Sequence, residues 1–208
     1  AKCGFVNCVP VFIAREKYWR TRFEKAGVPI IGDDIKSQVG ATITHRILAQ
    51  LLKDRGVSLK NTYQLNFGGN TDFLNMLERE RLTSKKISKT QSVVSQVGNE
   101  IGTDNVHIGP SDFVHFLDNE KVCYVYLKGR YFGNIPVEIN VKLNVIDAYN
   151  SAGVMIDAIR GTRIALDRSI AGPLTSISAY CFKHPPEQMS YIDAKNAFME
   201  FVEGKRER

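Results

Sequence analysis

Apolar residues lie in blocks along the chain, and their spacing predicts alternating strands and helices. Residues 3–14 are rich in Val, Ile and Phe, which predicts a strand buried on both faces, as parallel sheets require. A polar helix is predicted at 16–26 and a short strand at 28–34. In the next segment, 35–55, apolar residues recur with helical periodicity, which predicts an amphipathic helix that ends at Gly56.

The rest of the chain contains segments with the alternating pattern of strands and segments with the periodicity of helices. A strand at 62–67 leads into a glycine loop that tolerates positive φ. Residues 137–145 alternate apolar and polar side chains without a break, which predicts a strand with one wet face, paired as a hairpin with the weaker alternation at 121–127. Further helices are predicted at 73–80, from residue 84 onward, at 151–168 and at 192–202. This order indicates two lobes, an α/β lobe with a parallel sheet and an α+β segment inserted into it.

The first predicted strand also bears on the extent of the chain. A strand buried on both faces needs neighbours, and no earlier segment supplies them. Ala1 stands where an initiator Met is expected. We therefore expect the chain to be a fragment, or a processed form, of a longer protein.

Charge narrows the classes of partner. The net charge is +6 and the pI is about 9.1, which favours an anionic partner such as nucleic acid, an acidic membrane surface or a phosphorylated metabolite. Basic residues are interleaved with acidic ones, and aromatic residues do not alternate with them as stacking platforms would, which argues against nucleic acid. No apolar run reaches the roughly 18 to 20 residues that cross a bilayer, and residues 1–14 lack the features of a signal peptide. We expect a cytoplasmic protein with no membrane or nucleic-acid partner.

The cysteines and histidines show no spacing that is typical of a metal site. The cysteines are expected to be reduced and mostly buried as small hydrophobes, and the histidines to have structural roles. The cysteines are Cys3, Cys8, Cys123 and Cys181, and the histidines are His45, His107, His115 and His184. No metal ligands are predicted from them.

A lysine cluster is the most informative polar segment. If the helix predicted from Ser84 forms, Lys85 and Lys89 lie four residues apart on one face, near the positive end of the helix dipole. Both features are unfavourable in an empty protein and become favourable when a phosphate binds there. The alternative is a solvated basic surface balanced by Glu78 and Glu80.

Three other polar segments are candidates for function, and each also has an ordinary structural explanation. Asp33 and Asp34 follow a predicted strand, where α/β folds bind ligands, but they could equally cap the next helix. The side chains of 66–72 suit a sugar or ribose, although a plain turn explains them as well. Lys183 follows an apolar segment at a chain reversal, where a lysine is usually exposed.

At these same segments the chain resembles the myo-inositol-1-phosphate synthases, in particular their archaeal and actinobacterial branch. The matching motifs occur in the order of the family and cover nearly the whole chain: 32–38, 65–73, 84–90, 107–112, 150–154, 165–168 and 178–183. The resemblance implies part of a Rossmann-type NAD-binding lobe at 1–36, an inserted mixed-sheet catalytic and tetramerisation domain at 37–147, and C-terminal helices at 148–208 that return to the first lobe.

The resemblance also implies a reaction and a set of site residues. The reaction is the NAD-dependent isomerisation of D-glucose 6-phosphate to 1L-myo-inositol 1-phosphate by oxidation, intramolecular aldol cyclisation and reduction. The implied partners are the sugar phosphate, NAD and three further copies in a homotetramer, and the resemblance leaves open whether a divalent metal ion assists. The implied catalytic lysines are Lys85, Lys89, Lys121 and Lys183, which are expected to converge on the substrate. The implied substrate contacts are Ser37, Asn66, Asn70 and Asp72, with Ser37 toward the nicotinamide. The implied cofactor contacts are Asp34, Asp147 and Ser151. Asp118 is the expected acidic partner of Lys121.

One departure from the family matters for function. The glycine-rich dinucleotide fingerprint GxGxxG is absent from this sequence. We expect the full-length protein to bind NAD and this segment by itself not to bind it. The alternative is a non-catalytic oligomerisation module of the same family.

Overall fold

The computed structural model describes residues 2–75 and 101–208. Contacts within the chain divide it into two compact units. Ala1–Gln38 and Ser151–Arg208 form unit 1, and Val39–Asn150 form unit 2. The domain roles expected for 1–36, 37–147 and 148–208 stay predictions.

Unit 1 contains a small parallel sheet. Its strands are β1 (Phe5–Asn7), β2 (Pro29–Gly32) and β7 (Gly172–Pro173), in the order β1-β2-β7. The helices are α1 (Lys17–Lys25), α5 (Ala152–Asp167), α6 (Thr175–Cys181) and α7 (Tyr191–Val202). The core between sheet and helices is apolar and includes Ile31, Leu174, Ile177, Phe182 and Phe201.

The long first strand predicted at 3–14 is wrong. Only Phe5–Asn7 is a strand, and Val9 and Val11 beyond it are 55% and 57% exposed. The physical reason lies in residues 13–15, whose backbone N–H groups donate to the carboxylate of Asp33 and so cannot enter a sheet ladder.

The helix predicted at 35–55 begins later than expected. In the structure α2 spans Ala41–Asp54. Ile35 instead forms an antiparallel bridge with Phe182, and the N–H of Lys36 donates to the carbonyl of Cys181. These tertiary bonds keep the residues before α2 extended, against their local periodicity.

Unit 2 is built on a four-stranded mixed sheet in the order β4-β3-β5-β6. The strands are β3 (Ser58–Gly68), β4 (Val106–Phe113), β5 (Glu120–Tyr131) and β6 (Ile135–Ile146), with β4 parallel to β3 and the other pairs antiparallel. The helices are α2, α3 (Thr71–Asn75) and α4 (Asp147–Asn150). The core that includes Ala49 and Leu52 of α2 also contains Leu59, Val125 and Leu127 of the sheet.

The hairpin predicted from 121–127 and 137–145 is confirmed and is longer than expected, since β5 and β6 have twelve residues each. The turn at Phe132–Asn134 uses positive φ at Gly133 and Asn134, residue types that tolerate it. Strand β4 was not predicted from the sequence, because its segment contains Gly109 and Pro110 and no regular alternation. A strand at the end of the sheet order can contain a proline.

Several predicted helices are confirmed close to their boundaries: α1 for 16–26, α5 for 151–168 and α7 for 192–202. The helix predicted at 73–80 is described only as far as Asn75, and the one predicted from Ser84 lies outside the described residues. Within the described ranges, no helix has the length and apolar character needed to cross a membrane. The observed fold is a mixed α/β fold with a mixed sheet.

Candidate functional site

Unit 1 places a lysine–aspartate ion pair at the carboxyl end of its sheet. Lys183 Nζ lies 2.9 Å from Asp34 Oδ1, and the two side chains are 25% and 15% exposed. Asp34 follows β2 with one residue between, and Lys183 follows α6, so strand and helix deliver the two residues from distant parts of the sequence. The lysine is therefore half-buried and paired, unlike the freely exposed side chain that is usual for lysine.

The backbone around this pair is held tightly. The N–H of Lys183 donates to the carbonyl of Asp34 at 2.7 Å, and the N–H of Asp34 donates to the carbonyl of Val9. Asp34 has a φ of 61°, in the left-handed region that non-glycine residues seldom adopt. Surrounding bonds must stabilise such a conformation, because it is unfavourable by itself.

Asp33 does not cap a helix, so the capping interpretation of this residue is wrong. Its side chain is completely buried, and α2 begins eight residues later at Ala41. The carboxylate accepts hydrogen bonds from the side-chain amide of Asn7 and from the backbone N–H groups of 13–15. The aspartate thus fixes the segment that leaves β1.

His184, next to Lys183, is also buried. Its ring lies 5.1 Å from the ring of Phe12, and its backbone exchanges two hydrogen bonds with Asp33. Burial lowers the pKa of His184, while Asp34 acts in the opposite direction. A neutral ring here fits the structural role predicted for the histidines.

Lys36 was not predicted as a site residue, although it lies within the matched motif 32–38. Its side chain is buried, and its ammonium donates to the carbonyls of Ala179 at 2.6 Å and Tyr180 at 3.1 Å. A cation at these carbonyls is favourable because they lie at the negative end of α6. Lys36 therefore anchors the helix that leads to Lys183.

Two further residues of unit 1, Ser37 and Ser151, were predicted as ligand contacts. Ser37 is half-buried in the extended segment before α2. Ser151 is half-buried at the N-cap position of α5. Their roles toward substrate and cofactor stay predictions.

Unit 2 holds a second lysine–aspartate pair. Lys121 Nζ lies 3.2 Å from Asp147 Oδ1, with side-chain exposures of 20% and 18%. The other carboxylate oxygen of Asp147 accepts a bond from the side-chain amide of Asn70 at 3.1 Å. The ammonium of Lys121 also lies 5.6 Å from the centre of the Phe73 ring, within range of a cation–π attraction.

The acidic partner expected for Lys121 needs correction. The ion pair that the described residues provide for Lys121 is with Asp147, not with Asp118. Strand β5 carries Lys121 near its start, and Asp147 follows the end of β6, so antiparallel pairing brings the two side chains together. Asp118 instead occupies a turn with a φ of 46°.

Asn70 and Asp72 lie at the start of α3. The side-chain oxygen of Asn70 accepts bonds from the N–H groups of Asp72 and Phe73, as a capping residue does. Its amide nitrogen bonds Asp147, so one side chain links the helix start to the ion pair. Asp72 is exposed.

Asn66 lies inside the unit rather than at an open surface. It is 1% exposed, its amide donates to the carbonyl of Gly109, and its oxygen accepts from Gln64. Its role as a contact of a substrate hydroxyl stays a prediction.

The glycine pair at the end of β3, Gly68 and Gly69, allows close packing of neighbouring segments. A Cβ on Gly69 would lie 2.3 Å from the backbone nitrogen of Asp118 and 2.7 Å from the carbonyl oxygen of Val114. A Cβ on Gly68 would lie 2.8 Å from the ring of Phe73. The loop tolerates positive φ but does not adopt it at Gly68, Gly69 or Asn70. Gly69 is needed because other backbone segments approach it.

The predicted site residues thus form two groups. Asp34 and Lys183 are brought together in unit 1, and Asn70, Lys121 and Asp147 in unit 2. Lys85 and Lys89 lie outside the described residues, so the convergence of four lysines stays a prediction.

In the described part of the chain, no three His, Cys, Asp or Glu side chains come close enough to hold a metal. The four cysteines all lie in the described ranges and form no disulfide; Cys123 and Cys181 are buried, and burial raises the pKa of Cys181 to about 12. The Asp34–Lys183 pair lies at the carboxyl end of the parallel sheet, where α/β folds bind ligands, and the 208-residue sequence contains no phosphate-binding glycine turn.

Comparison with known proteins decides the family. Residues 40–148, slightly more than half of the chain, match the family model described as Myo-inositol-1-phosphate synthase. The chain belongs to the myo-inositol-1-phosphate synthase family. This confirms the resemblance found in the motifs.

Individual relatives agree over nearly the whole chain. The inositol-3-phosphate synthase of Mycobacterium tuberculosis is 59% identical over 204 residues, which are 98% of this chain and 56% of the relative. The crystal structure of Ari2 is 36% identical with a TM-score of 0.75 and covers 98% of this chain and 56% of its own. A myo-inositol-1-phosphate synthase-related protein from Thermotoga maritima is 25% identical with a TM-score of 0.78, covering 99% of this chain and 53% of its own. The chain therefore spans a little over half the length of each of these three proteins.

Proposed function

We propose that the full-length protein containing this chain is an NAD-dependent isomerase that converts D-glucose 6-phosphate to 1L-myo-inositol 1-phosphate. The observation that carries the proposal is the membership of the family together with two half-buried lysine–aspartate pairs, whose four residues are among the site residues that the family resemblance implies. We also propose that unit 1 belongs to a Rossmann-type lobe and that unit 2 is the catalytic and tetramerisation domain.

The proposed chemistry needs fixed cations. Oxidation at C5 of the sugar phosphate acidifies C6, a bond then forms between C6 and C1, and reduction completes a redox-neutral sequence. Each stage creates or removes charge on an oxygen atom, and a positioned ammonium group stabilises that charge without reorganising water. NAD, when bound, supplies the acceptor and then the donor of the hydride.

Lys183 is proposed to act at a reacting oxygen, together with Lys85. The carboxylate of Asp34 holds the ammonium of Lys183 at 2.9 Å, and the remaining exposure of both side chains leaves a face for a ligand. An ammonium that is oriented before the substrate binds loses little entropy at the transition state. Asp34 and Ser37 are proposed to face the nicotinamide, and Ser151 the cofactor.

Lys121 is proposed to bind the phosphate, together with Lys89. Asp147 orients its ammonium, and Asn70 orients Asp147, so the three side chains form one hydrogen-bonded chain. A phosphate dianion near Lys121 would add charge-assisted hydrogen bonds to this arrangement. Asn66, Asn70 and Asp72 are proposed to contact the sugar, and Asp147 the cofactor side.

The test replaces the lysines one at a time by alanine in the full-length protein. Lys85→Ala, Lys89→Ala and Lys183→Ala are expected to lower inositol phosphate formation by roughly 100-fold or more, because each removes a cation that stabilises developing charge. Lys121→Ala is expected to raise the KM for glucose 6-phosphate as well. Product formation and thermal unfolding are measured for each variant.

Lys142→Ala is the matched control. Lys142 is an exposed lysine of β6, opposite Tyr124 in the same sheet, and it belongs to neither ion pair. This variant is expected to retain full turnover. Near-wild-type turnover in Lys85→Ala, Lys89→Ala and Lys183→Ala together would contradict the proposed function.

A further inference from the structure

Asp33 has a set of contacts that the proposed chemistry does not use. Its side chain is fully buried, and its carboxylate receives four hydrogen bonds: 2.6 Å from Asn7 Nδ2, and 2.9 to 3.1 Å from the N–H groups of Ile13, Ala14 and Arg15. A buried carboxylate is costly unless its oxygens are hydrogen-bonded, and here both oxygens are. Residues 8–15, the segment after β1, are thereby tied to the end of β2.

The backbone of Asp33 is tied to the other half of the ion-pair site. Asp33 and His184 exchange backbone hydrogen bonds of 3.0 Å each, and the N–H of Lys183 donates to the carbonyl of Asp34. These three bonds form a short ladder that joins Asp33 and Asp34 to Lys183 and His184. Any displacement of Asp33 would pass directly to Asp34 and Lys183.

Asp34 depends on this support more than most residues do. Its φ of 61° is unfavourable by itself, so neighbouring bonds must hold it. One of them comes from the segment after β1, since the carbonyl of Val9 accepts the N–H of Asp34. That segment is in turn held by the carboxylate of Asp33 through residues 13–15.

We propose that Asp33 is the positioning residue of the Asp34–Lys183 pair: its buried carboxylate holds the segment after β1 and so sets the conformation of Asp34 and the direction of the Lys183 ammonium. This inference rests on the proposed function for its kinetic consequence. Asp33 itself has no exposed surface and so does not touch the substrate. Its effect passes through its two neighbours in the ladder.

The test is Asp33→Asn in the full-length protein. The amide has nearly the same shape but presents an NH₂ group to N–H donors, so at least one of the bonds to residues 13–15 is lost. The kcat per folded molecule is expected to fall roughly 10-fold to 100-fold, with the KM for glucose 6-phosphate within about twofold of wild type. Hydrogen exchange of the amides of 13–15 is expected to become faster.

A second measurement does not depend on turnover. Acetylation of lysines by a limiting amount of acetic anhydride, read by mass spectrometry, reports how firmly Lys183 is paired. In Asp33→Asn the labelling of Lys183 relative to the exposed Lys142 is expected to rise severalfold. Asn7→Ser, which removes one of the four bonds to Asp33, is expected to give a smaller change in the same direction.

Thr162→Val is the matched control for loss of stability. Thr162 is buried in unit 1, and its hydroxyl donates within α5 to the carbonyl of Ala158, away from the ladder. This variant is expected to keep the wild-type kcat and Lys183 labelling even where its melting temperature falls. An unchanged kcat and unchanged Lys183 labelling in Asp33→Asn, or equal losses in Thr162→Val, would overturn the proposal. The turnover of the wild-type protein tests the proposed function separately, and the labelling ratio is read even if that turnover is absent.

Discussion

At the scale of single residues, the two ion pairs combine a lysine with a carboxylate that is itself constrained. Asp34 is constrained by backbone conformation, with a φ of 61°, and Asp147 by the side chain of Asn70. A constrained carboxylate limits the positions available to the ammonium, which is the property that electrostatic catalysis needs. Both lysines also keep some exposure, so a ligand can reach them.

The conformation of Asp34 leads to a stability prediction. Asparagine tolerates positive φ at least as well as aspartate, whereas alanine does not. Both Asp34→Asn and Asp34→Ala remove the charge, but Asp34→Ala is expected to lower the free energy of unfolding by about 1 kcal/mol more than Asp34→Asn. Urea unfolding of the two full-length variants measures this difference, and equal stabilities would contradict the strain at this position.

His45 illustrates a buried histidine that sequence alone cannot classify. It is fully buried, and its Nε2 lies 2.6 Å from the hydroxyl of Thr62, which donates its own proton to the carbonyl of Tyr126. His45 Nε2 must therefore be the donor in this bond. Burial lowers its pKa from 6.5 to about 4, while Gln64 has the opposite, smaller effect.

The pH dependence of stability follows from this shift. Below pH 6.5 the unfolded chain binds a proton at His45, whereas the folded chain stays neutral there until the pH approaches 4. The free energy of unfolding is therefore expected to fall as the pH drops from about 6.5 to about 4, by an amount on the order of 3 kcal/mol from this one group.

Replacing His45 by glutamine is expected to flatten that slope, measured by urea unfolding at a series of pH values. His107→Gln is the control, because His107 is exposed in β4 and its removal is expected to leave the slope nearly unchanged. A slope that is the same in wild type and His45→Gln would show that other groups cause the acid sensitivity.

At the scale of elements, the connection between β3 and α3 depends on a residue without a side chain. Gly69 has backbone atoms of Val114 and Asp118 against the place where a Cβ would stand. The next residue, Asn70, belongs to the ion-pair group of unit 2. Packing at this turn therefore affects both stability and the position of the candidate site.

Gly69→Ala is expected to lower the free energy of unfolding by about 1–3 kcal/mol, as overpacking against fixed backbone does. Gly102→Ala is the control within the same unit, since the nearest atom to its added Cβ would be 3.5 Å away, at the end of a side chain. Thermal and urea unfolding of the two variants give the comparison. Equal stability of both would mean that the turn relaxes without cost.

Elements with a strong internal pattern were predictable, and those held by distant partners were not. The perfect alternation of 137–145 predicted β6, and helical periodicity predicted α5 and α7. The extended segment before α2 could not be predicted, because its hydrogen bonds go to residues about 145 positions later, such as Cys181 for Lys36. The spacing of apolar residues within a segment gives no information about such long-range bonds.

At the scale of the whole molecule, the chain spans a little over half the length of its relatives, with 56% coverage of the M. tuberculosis protein. The sequence given also contains no glycine-rich dinucleotide fingerprint. The ligand binding of the 208-residue chain and that of the full-length protein are therefore predicted separately.

The 208-residue chain alone is expected to show no NAD binding by calorimetry, because the phosphate-binding turn is missing from its sequence. The full-length protein is expected to bind NAD and glucose 6-phosphate and to elute as a tetramer in size-exclusion chromatography. Oligomers of the full-length protein that bind neither ligand would favour the alternative function, a non-catalytic assembly module.

The sequence by itself determined the family, the residue types at the two ion pairs, and the elements whose apolar period is regular, because motifs and periodicity are local properties. Only the tertiary structure decided which carboxylate holds which lysine: Asp34 with Lys183, and Asp147 rather than Asp118 with Lys121. It also decided that Asp33 is buried among backbone N–H groups instead of capping α2. The reason is that strand register and long-range hydrogen bonds, which no local pattern encodes, choose the partner of each charged side chain.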